Sequence, residues 1–342
     1  MNTTTDKLNK LLETKEAIKT AIIRKNVAVA DSDPFSVYAS KIGEIEQGGG
    51  TGESSLDWSA IGYSKEPESL TDGFNYAKQI YNSWDETRTY LTFTDDKNLV
   101  YFPLIDTKNV TGLTNTFSGC NLLREIPNIN TSKVETMAAT FTDCWSLTSV
   151  PAFDTSNVVN FGNIFNNCKS LKEIPLIDTS KGIVMSFMFR YCNSLSNIPL
   201  FNTSSATEMY AMFDGCESLS TIPAIDMSSV TTVNSMFLNC HKLESLPLLN
   251  FSSVEDTGYF LSYSWDSGMI ISDIAGFEGL HVNIDVSNCS QLTAESLMNI
   301  ITKAADLSIE SKTATLKFGT TNVEKLTEDQ IAVATAKGWT IA

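Results

Sequence analysis

The stretch Ile222-Pro223-Ala224-Ile225-Asp226-Met227-Ser228-Ser229-Val230-Thr231-Thr232-Val233-Asn234-Ser235-Met236-Phe237-Leu238-Asn239-Cys240-His241-Lys242-Leu243 decides the fold, because the chain repeats its pattern at a fixed interval. Phe-x-x-Cys occurs six times, 24 residues apart, at Phe117/Cys120, Phe141/Cys144, Phe165/Cys168, Phe189/Cys192, Phe213/Cys216 and Phe237/Cys240. Leu123, Leu147, Leu171, Leu195, Leu219 and Leu243 follow each Cys by three residues, and Pro103, Pro127, Pro151, Pro175, Pro199, Pro223 and Pro247 hold the same spacing. A period of this length marks units that each bury an apolar face against a neighbour. Such a body works through its surface rather than through one catalytic pocket.

Composition narrows the classes. The chain has 342 residues and a net charge of −16 with no basic run, which argues against nucleic acid, since binding it needs a cationic stripe. No stretch approaches the roughly 20 apolar residues that span a bilayer, so membrane insertion is not expected. The polar opening Met-Asn-Thr-Thr-Thr-Asp-Lys reads as neither secretory signal nor lipidation box, and implies a chain that stays in a cytosol or leaves it by assembly or lysis. Six of the seven cysteines share one repeat position and read as buried reduced thiols, with disulfides between coils the alternative. Ligands strung along an axis cannot converge on one ion, so neither metal nor cofactor is expected.

Along the chain, residues 1–47 read as two amphipathic helices forming an attachment or oligomerisation segment. Leu8, Leu11, Ile18 and Ile22 line the first; Asp33 and Pro34 open the second, with Phe35, Tyr38, Ile42 and Ile45 on one face. Residues 48–55 form a Gly/Ser linker. In 56–92 the aromatics Trp58, Tyr63, Phe74, Tyr76, Tyr81, Trp84 and Tyr90 read as an N-terminal cap, with a ligand-stacking platform the alternative. Repeats occupy 93–261. Residues 262–342 read as a Gly- and Ser-punctuated insertion over 262–280 and then a C-terminal cap: a helix capped by Thr293, a strand at 313–318, and a last helix opened by a Thr327/Gln330 capping box and stopped by Gly338.

Within a coil, Leu171 through Ser180 is expected as a short extended segment ending in a turn, with the strand itself stopping at or just before Pro175, because an interior proline deletes a ladder hydrogen bond. Met185, Met188, Phe189 and Cys192 have the three- and four-residue spacing of a single helical turn. Asp106, Asn130, Asp154, Asp178, Asn202, Asp226 and Asn250 are expected to form Asx turns capping that helix. A calcium ladder is the alternative. Asn130-Thr-Ser and Asn202-Thr-Ser also satisfy the glycosylation pattern.

No catalytic constellation stands out, so the chain is read as no enzyme. Its only histidines are His241, expected to face solvent, and His281. Specificity should lie in residues that vary between coils: Asp143, Asn166, Arg190, Tyr191, Asp214 and Leu238 after Phe, then Trp145, Lys169, Asn193, Glu217 and His241 after Cys. The candidate binding surface is Trp145, Arg190, Tyr191, Tyr263 and Trp265, residue types that dominate binding energies, unless they merely cover the coils.

The phrase Ile-Pro-x-Ile-Asp-Thr-Ser-x-Val-x-x-Met-x-x-Met-Phe-x-x-Cys-x-Ser-Leu, seen from Ile198 through Leu219 and Ile222 through Leu243, resembles the BspA-like class of bacterial leucine-rich repeats. The resemblance implies an α/β solenoid, a leucine-rich-repeat-like stack of 24-residue coils between an N-terminal helical hairpin and an α/β C-terminal cap. Such solenoids bind host macromolecules, a surface polysaccharide or protein. The run from Lys7 to Lys19, residues 35–45, and Thr327 through Trp339 are similar to pieces of phage tail, baseplate and tail-fibre proteins. That similarity implies a virion tail protein of receptor-binding type, joined to other tail or baseplate proteins through residues 1–47 and forming a homo-oligomer, a trimer by likeness to tail fibres. A bacterial surface adhesin and a purely structural virion or scaffold protein are the alternatives.

Overall fold

The computed structural model describes residue 77 and residues 79–81, 83–262 and 269–342, all within one compact unit, Gly73–Ala342. The expected hairpin 1–47, the linker 48–55, the aromatics Trp58, Tyr63, Phe74 and Tyr76, and both Tyr263 and Trp265 lie outside the described residues.

A strict period places like residue on like in successive coils. From Phe93 to Phe237 the rings stack with centroids 5.5–5.8 Å apart and planes within 10° of parallel. The row ends where Phe260 turns edge-on to Phe237 at 77°. Leucines from Leu123 to Leu243 and the six repeat cysteines form parallel buried rows beside it. Core and coil-to-coil interface are therefore the same contacts.

The backbone is thinly paired as sheet. One row of single-residue parallel bridges runs along the coils through Tyr90, Gly112, Thr136, Asn160, Val184, Glu208, Thr232 and Asp256, with a further bridge between Tyr101 and Glu125. Two-residue strands appear only near the end of the stack, where β1 (Ser245–Leu246) pairs with β3 (Asp273–Ile274) and β2 (Leu249–Asn250) with β4 (Phe277–Glu278). β1 stops at the residue before Pro247, as a missing donor requires.

The expected helical turn at 185–192 is not a helix. The N–H groups of Met185, Phe187, Phe189 and Tyr191 donate to carbonyls of Glu208, Tyr210, Met212 and Asp214 in the next coil at 2.7–3.0 Å. Only Met188, Arg190 and Cys192 donate back along the chain, each to the carbonyl three residues earlier. A helix over 185–192 would turn the Phe189 and Tyr191 N–H groups back to the carbonyls four residues earlier. The chain instead makes consecutive turns through left-handed residues, Phe187 at φ 62° and Tyr191 at φ 56°, so every second amide can reach the neighbouring coil. Helical spacing was a poor guide because these turns also bring every third or fourth side chain inward.

The Asx turns do form: Asn130, Asp178 and Asp226 accept from the amides of Ser132, Ser180 and Ser228 through Oδ1 at 2.9–3.0 Å. They close turns and cap no helix. Behind them, buried Thr107, Thr131, Thr155, Thr179 and Thr203 each donate to a carbonyl of the following coil at 2.6–2.8 Å. Met227 and Phe251 continue this row without a hydroxyl. All seven cysteines are free and buried. Each repeat thiol donates to the carbonyl of the preceding coil's Phe at 2.9–3.1 Å. Burial pushes these thiols up, Cys120 to about 12.

At the C-terminal end the step widens rather than breaking. Ser245 pairs with Asp273, and Met269 and Ile271 are buried, so residues 269–280 are a wider coil and not the expected insertion. β5 (Ile284–Asp285), β6 (Ala314–Lys317) and β7 (Trp339–Ile341) then form a three-stranded parallel sheet. α1 (Ala294–Lys303) begins at Thr293, whose side chain accepts from the Ser296 amide. After a 3₁₀ turn (Leu307–Glu310) and the short α2 (Thr320–Val323), α3 (Glu328–Ala336) opens with the Thr327/Gln330 capping box; Gly338 follows at φ 85°. Buried Trp339 donates through Nε1 to the Ala305 carbonyl. Among the described residues no helix is long and apolar enough to cross a membrane.

Candidate recognition surface

From Asn115 to Asn239 each coil takes a left-handed conformation at two places four residues apart, and Asp95 and Tyr259 extend the two columns. The first column is Asn115, Ala139, Asn163, Phe187, Ala211, Ser235 and Tyr259; the second is Asp95, Gly119, Asp143, Asn167, Tyr191, Gly215 and Asn239. Gly, Asn and Asp adopt this conformation most readily, which explains much of both columns. For other residues it costs about 1–2 kcal/mol. Among the described residues, one coil carries aromatic side chains at both positions, Phe187 and Tyr191. Strain accepted at both positions of one coil by bulky side chains marks a place where side-chain identity matters more than backbone ease.

Those two rings and the next coil form a built cluster. The Arg190 guanidinium carbon lies 4.4 Å from the Tyr191 ring centroid and 5.4 Å from that of Phe187. Its Nε donates to Asp214 Oδ2 at 2.8 Å, and Nη2 donates to the Tyr191 hydroxyl at 2.9 Å. Tyr210 meets Phe187 edge to face with centroids 4.9 Å apart. Asp214, expected on the exposed face, is instead buried, with 3% of its side chain accessible against 33% for Arg190. Gly215 completes the cluster: a Cβ there would lie 2.3 Å from Tyr191 Cδ1. Only a residue without one admits the ring.

Trp145 stands two coils earlier on the same edge, at 45% exposure. Lys169 Nζ lies 5.0 Å over its ring, and its Nε1 reaches Asp143 Oδ1 at 3.4 Å. Asp143 also accepts from Asn167. Trp145 and the Arg190/Tyr191 pair thus belong to two patches, separated by about 10 Å at ordinary strand spacing. His241, expected to face solvent, is half-buried. Sequence reasoning missed Phe187, Tyr210 and Gly215, and placed Asp214 among the exposed variable residues rather than beneath Arg190. Phe187 could have been noticed as the aromatic exception in a column of Asn, Ala and Ser.

A separate row follows the prolines, where Leu104, Leu176, Leu200 and Leu248 are exposed. At the N-terminal end, Trp84 is partly buried against the core and donates through Nε1 to the Asp106 carbonyl, whereas Tyr81 and Tyr90 are exposed. Trp84 does the covering expected of a cap. The two tyrosines do not.

No curated protein matches the chain. Among solved structures, a leucine-rich-repeat protein of Treponema pallidum is 16% identical, over 64% of this chain and 85% of that one, with a TM-score of 0.31. A leucine-rich cell surface protein of Faecalibacterium prausnitzii is also 16% identical, over 75% and 84% of the two chains, with a TM-score of 0.26. A plant peptide hormone receptor, RGFR1 in complex with RGF2, is 12% identical over 72% of this chain and 40% of that one, with a TM-score of 0.23. The family model for "Mycoplasma protein of unknown function, DUF285" matches residues 91–197 and again 172–267, together more than half of the 342 residues, and the chain belongs to that family.

Proposed function

We propose that this protein is a bacterial surface-binding protein of leucine-rich-repeat type, whose coil edge recognises a macromolecule of a host or neighbouring cell. The observation that carries the reading is the coil holding Phe187 and Tyr191 in left-handed conformations, with Arg190 against both rings and tied to buried Asp214. Covering the core requires none of this. Neighbouring coils cover the same rows with Asn163 and Asn167, or with Ala211 and Gly215. Arg and Tyr on a rigid frame are the groups that contribute most per residue to binding.

The adhesin reading is preferred here to the tail-fibre reading. The residues that favoured a virion were 1–47, outside the described structure, and the closing segment from Thr327. The latter is a capped helix followed by a strand that completes a sheet, a solution open to the end of any stack. Membership of a family described from Mycoplasma supports a cellular setting.

The test is adsorption of the full chain to bacterial and host cell envelopes, with Trp145, Arg190 and Tyr191 intact or replaced together by Ala. Loss of adsorption with a cooperative melt retained is the expected result. Undiminished adsorption by that folded variant excludes this edge and moves the search to the exposed leucine row.

A further inference from the structure

Resting on the reading of this edge as a binding surface, we infer that its ligand is an uncharged carbohydrate chain. Three features of the cluster lead to that class.

The first is charge. Arg190 is matched by Asp214 inside the fold, so the cluster carries no net charge of its own. Nearby exposed ionised groups on the next coil are Glu208 and Glu217, and the whole chain stands at −16. Polyanions are repelled by such a surface. A cationic ligand would meet the guanidinium.

The second is donor supply. Arg190 spends Nε on Asp214 and Nη2 on Tyr191, and among the described residues Nη1 meets no acceptor. The Tyr191 oxygen already accepts from Arg190, leaving its own proton to be donated. The cluster therefore keeps donor capacity on two adjoining, partly exposed side chains.

The third is shape. Phe187 and Tyr210, edge to face, give a small apolar step next to those donors, and Tyr210 is 36% exposed. A sugar ring has the complementary build, an apolar face of C–H groups bounded by hydroxyls that accept hydrogen bonds. Trp145, about 10 Å along the stack, offers a second ring to a chain of several sugars. A protein partner would need about 800 Å² of contact on each side, far more than this step provides by itself.

The experiment is depletion of the full-length protein from solution by insoluble polysaccharides: curdlan, cellulose and chitin as uncharged probes, cross-linked pectate and immobilised heparin as acidic ones. The expected result is retention on at least one uncharged probe that survives about 1 M salt, where the Debye length is roughly 3 Å. Tyr191→Ala and Arg190→Ala should each weaken retention at least tenfold, and Leu176→Ser, on the other row, should leave it unchanged. Retention on the acidic probes alone, or on none of the panel, overturns the inference. Cell-envelope adsorption separates the two levels of failure. If adsorption depends on Arg190 and Tyr191 but survives periodate and is lost to protease, the edge binds a protein and the carbohydrate class is wrong. If adsorption ignores both residues, the binding edge itself is wrong.

Discussion

The coil from Asn163 to Cys168 and the coil from Phe187 to Cys192 follow one backbone path with different residues at its costly points. Both stack a Phe in the same row, donate a thiol to the preceding coil, and pass twice through the left-handed region. The first does so with Asn163 and Asn167, side chains suited to that conformation; the second does so with Phe187 and Tyr191, which are not. Inside, the two coils are interchangeable. Outside, one is tuned for ease and the other holds a guanidinium between aromatic rings. The core row and the recognition row are therefore separable, although they are built from neighbouring residues of the same turns, Met188 and Phe189 inside and Arg190 and Tyr191 outside.

The largest effect tests the shared interior. An unfolded thiol ionises near pH 8.5, whereas burial holds the folded thiols protonated well beyond that, Cys120 and Cys289 to about 12. The fold prefers the protonated form, so this contribution is complete below pH 8.5 and is lost as pH rises toward the folded values. Each buried thiol should add a slope of about 1.4 kcal/mol per pH unit in that window. Denaturant midpoints measured from pH 7 to alkaline pH should fall steeply. Cys168→Ala and Cys192→Ala should flatten the fall by equal steps, and unequal steps would break the equivalence of the two interiors.

Next in size, Phe165→Ala and Phe189→Ala should each cost about 3–5 kcal/mol in chemical denaturation, as large core truncations do. A loss under about 1 kcal/mol at either would place that ring outside the core.

Gly215→Ala sharpens the contrast on the outside. A methyl there enters the Tyr191 ring, which Arg190 confines, and the residue sits at φ +73°. About 2–4 kcal/mol is expected from overpacking plus the left-handed penalty. At Gly119 the corresponding methyl meets the Asp95 carboxylate, which is exposed and can swing aside. Only the left-handed penalty of about 1–2 kcal/mol should remain. Equal costs at Gly119 and Gly215 would show that the Tyr191 ring is not held in place.

The smallest effect on stability is expected at Phe187→Asn, which restores the residue type found at Asn163. Relief of backbone strain offsets the lost contact with Tyr210, so the midpoint should move by no more than about 1 kcal/mol in either direction. Envelope adsorption should fall at the same time. A loss of stability matching a core truncation would make Phe187 a packing residue and remove the basis for treating this coil as special.

Much of the interior could be read without coordinates. Phe165, Cys168 and Leu171 recur at one interval, and residues sharing a phase must share an environment when coils stack. The Asx turns at Asp178 and Asn202, the Thr293 cap and the Thr327/Gln330 box were equally legible, because each depends on residues within three positions of one another. The turn at 185–192 was misread as helical. Asn163, Asn167, Gly119 and Gly215 carried the correction, since side chains tolerant of positive φ recur there four residues apart.

What the sequence alone determined is the identity of the stacked rows: period is a property of order along the chain, and burial follows from it. What only the tertiary structure decided is how one coil is offset against the next. Phe187 donates its amide to Tyr210 and Tyr191 donates to Asp214, each 23 residues on, while the rings and thiols stack at 24. Arg190 against Asp214 and the Tyr191 ring over Gly215 keep the 24-residue spacing and so follow from the period; what the period does not show is the 23-residue offset of the amides. That offset arises from hydrogen bonds between distant residues, whose energy depends on where the backbones meet in space and leaves no trace in the spacing of residues along the chain.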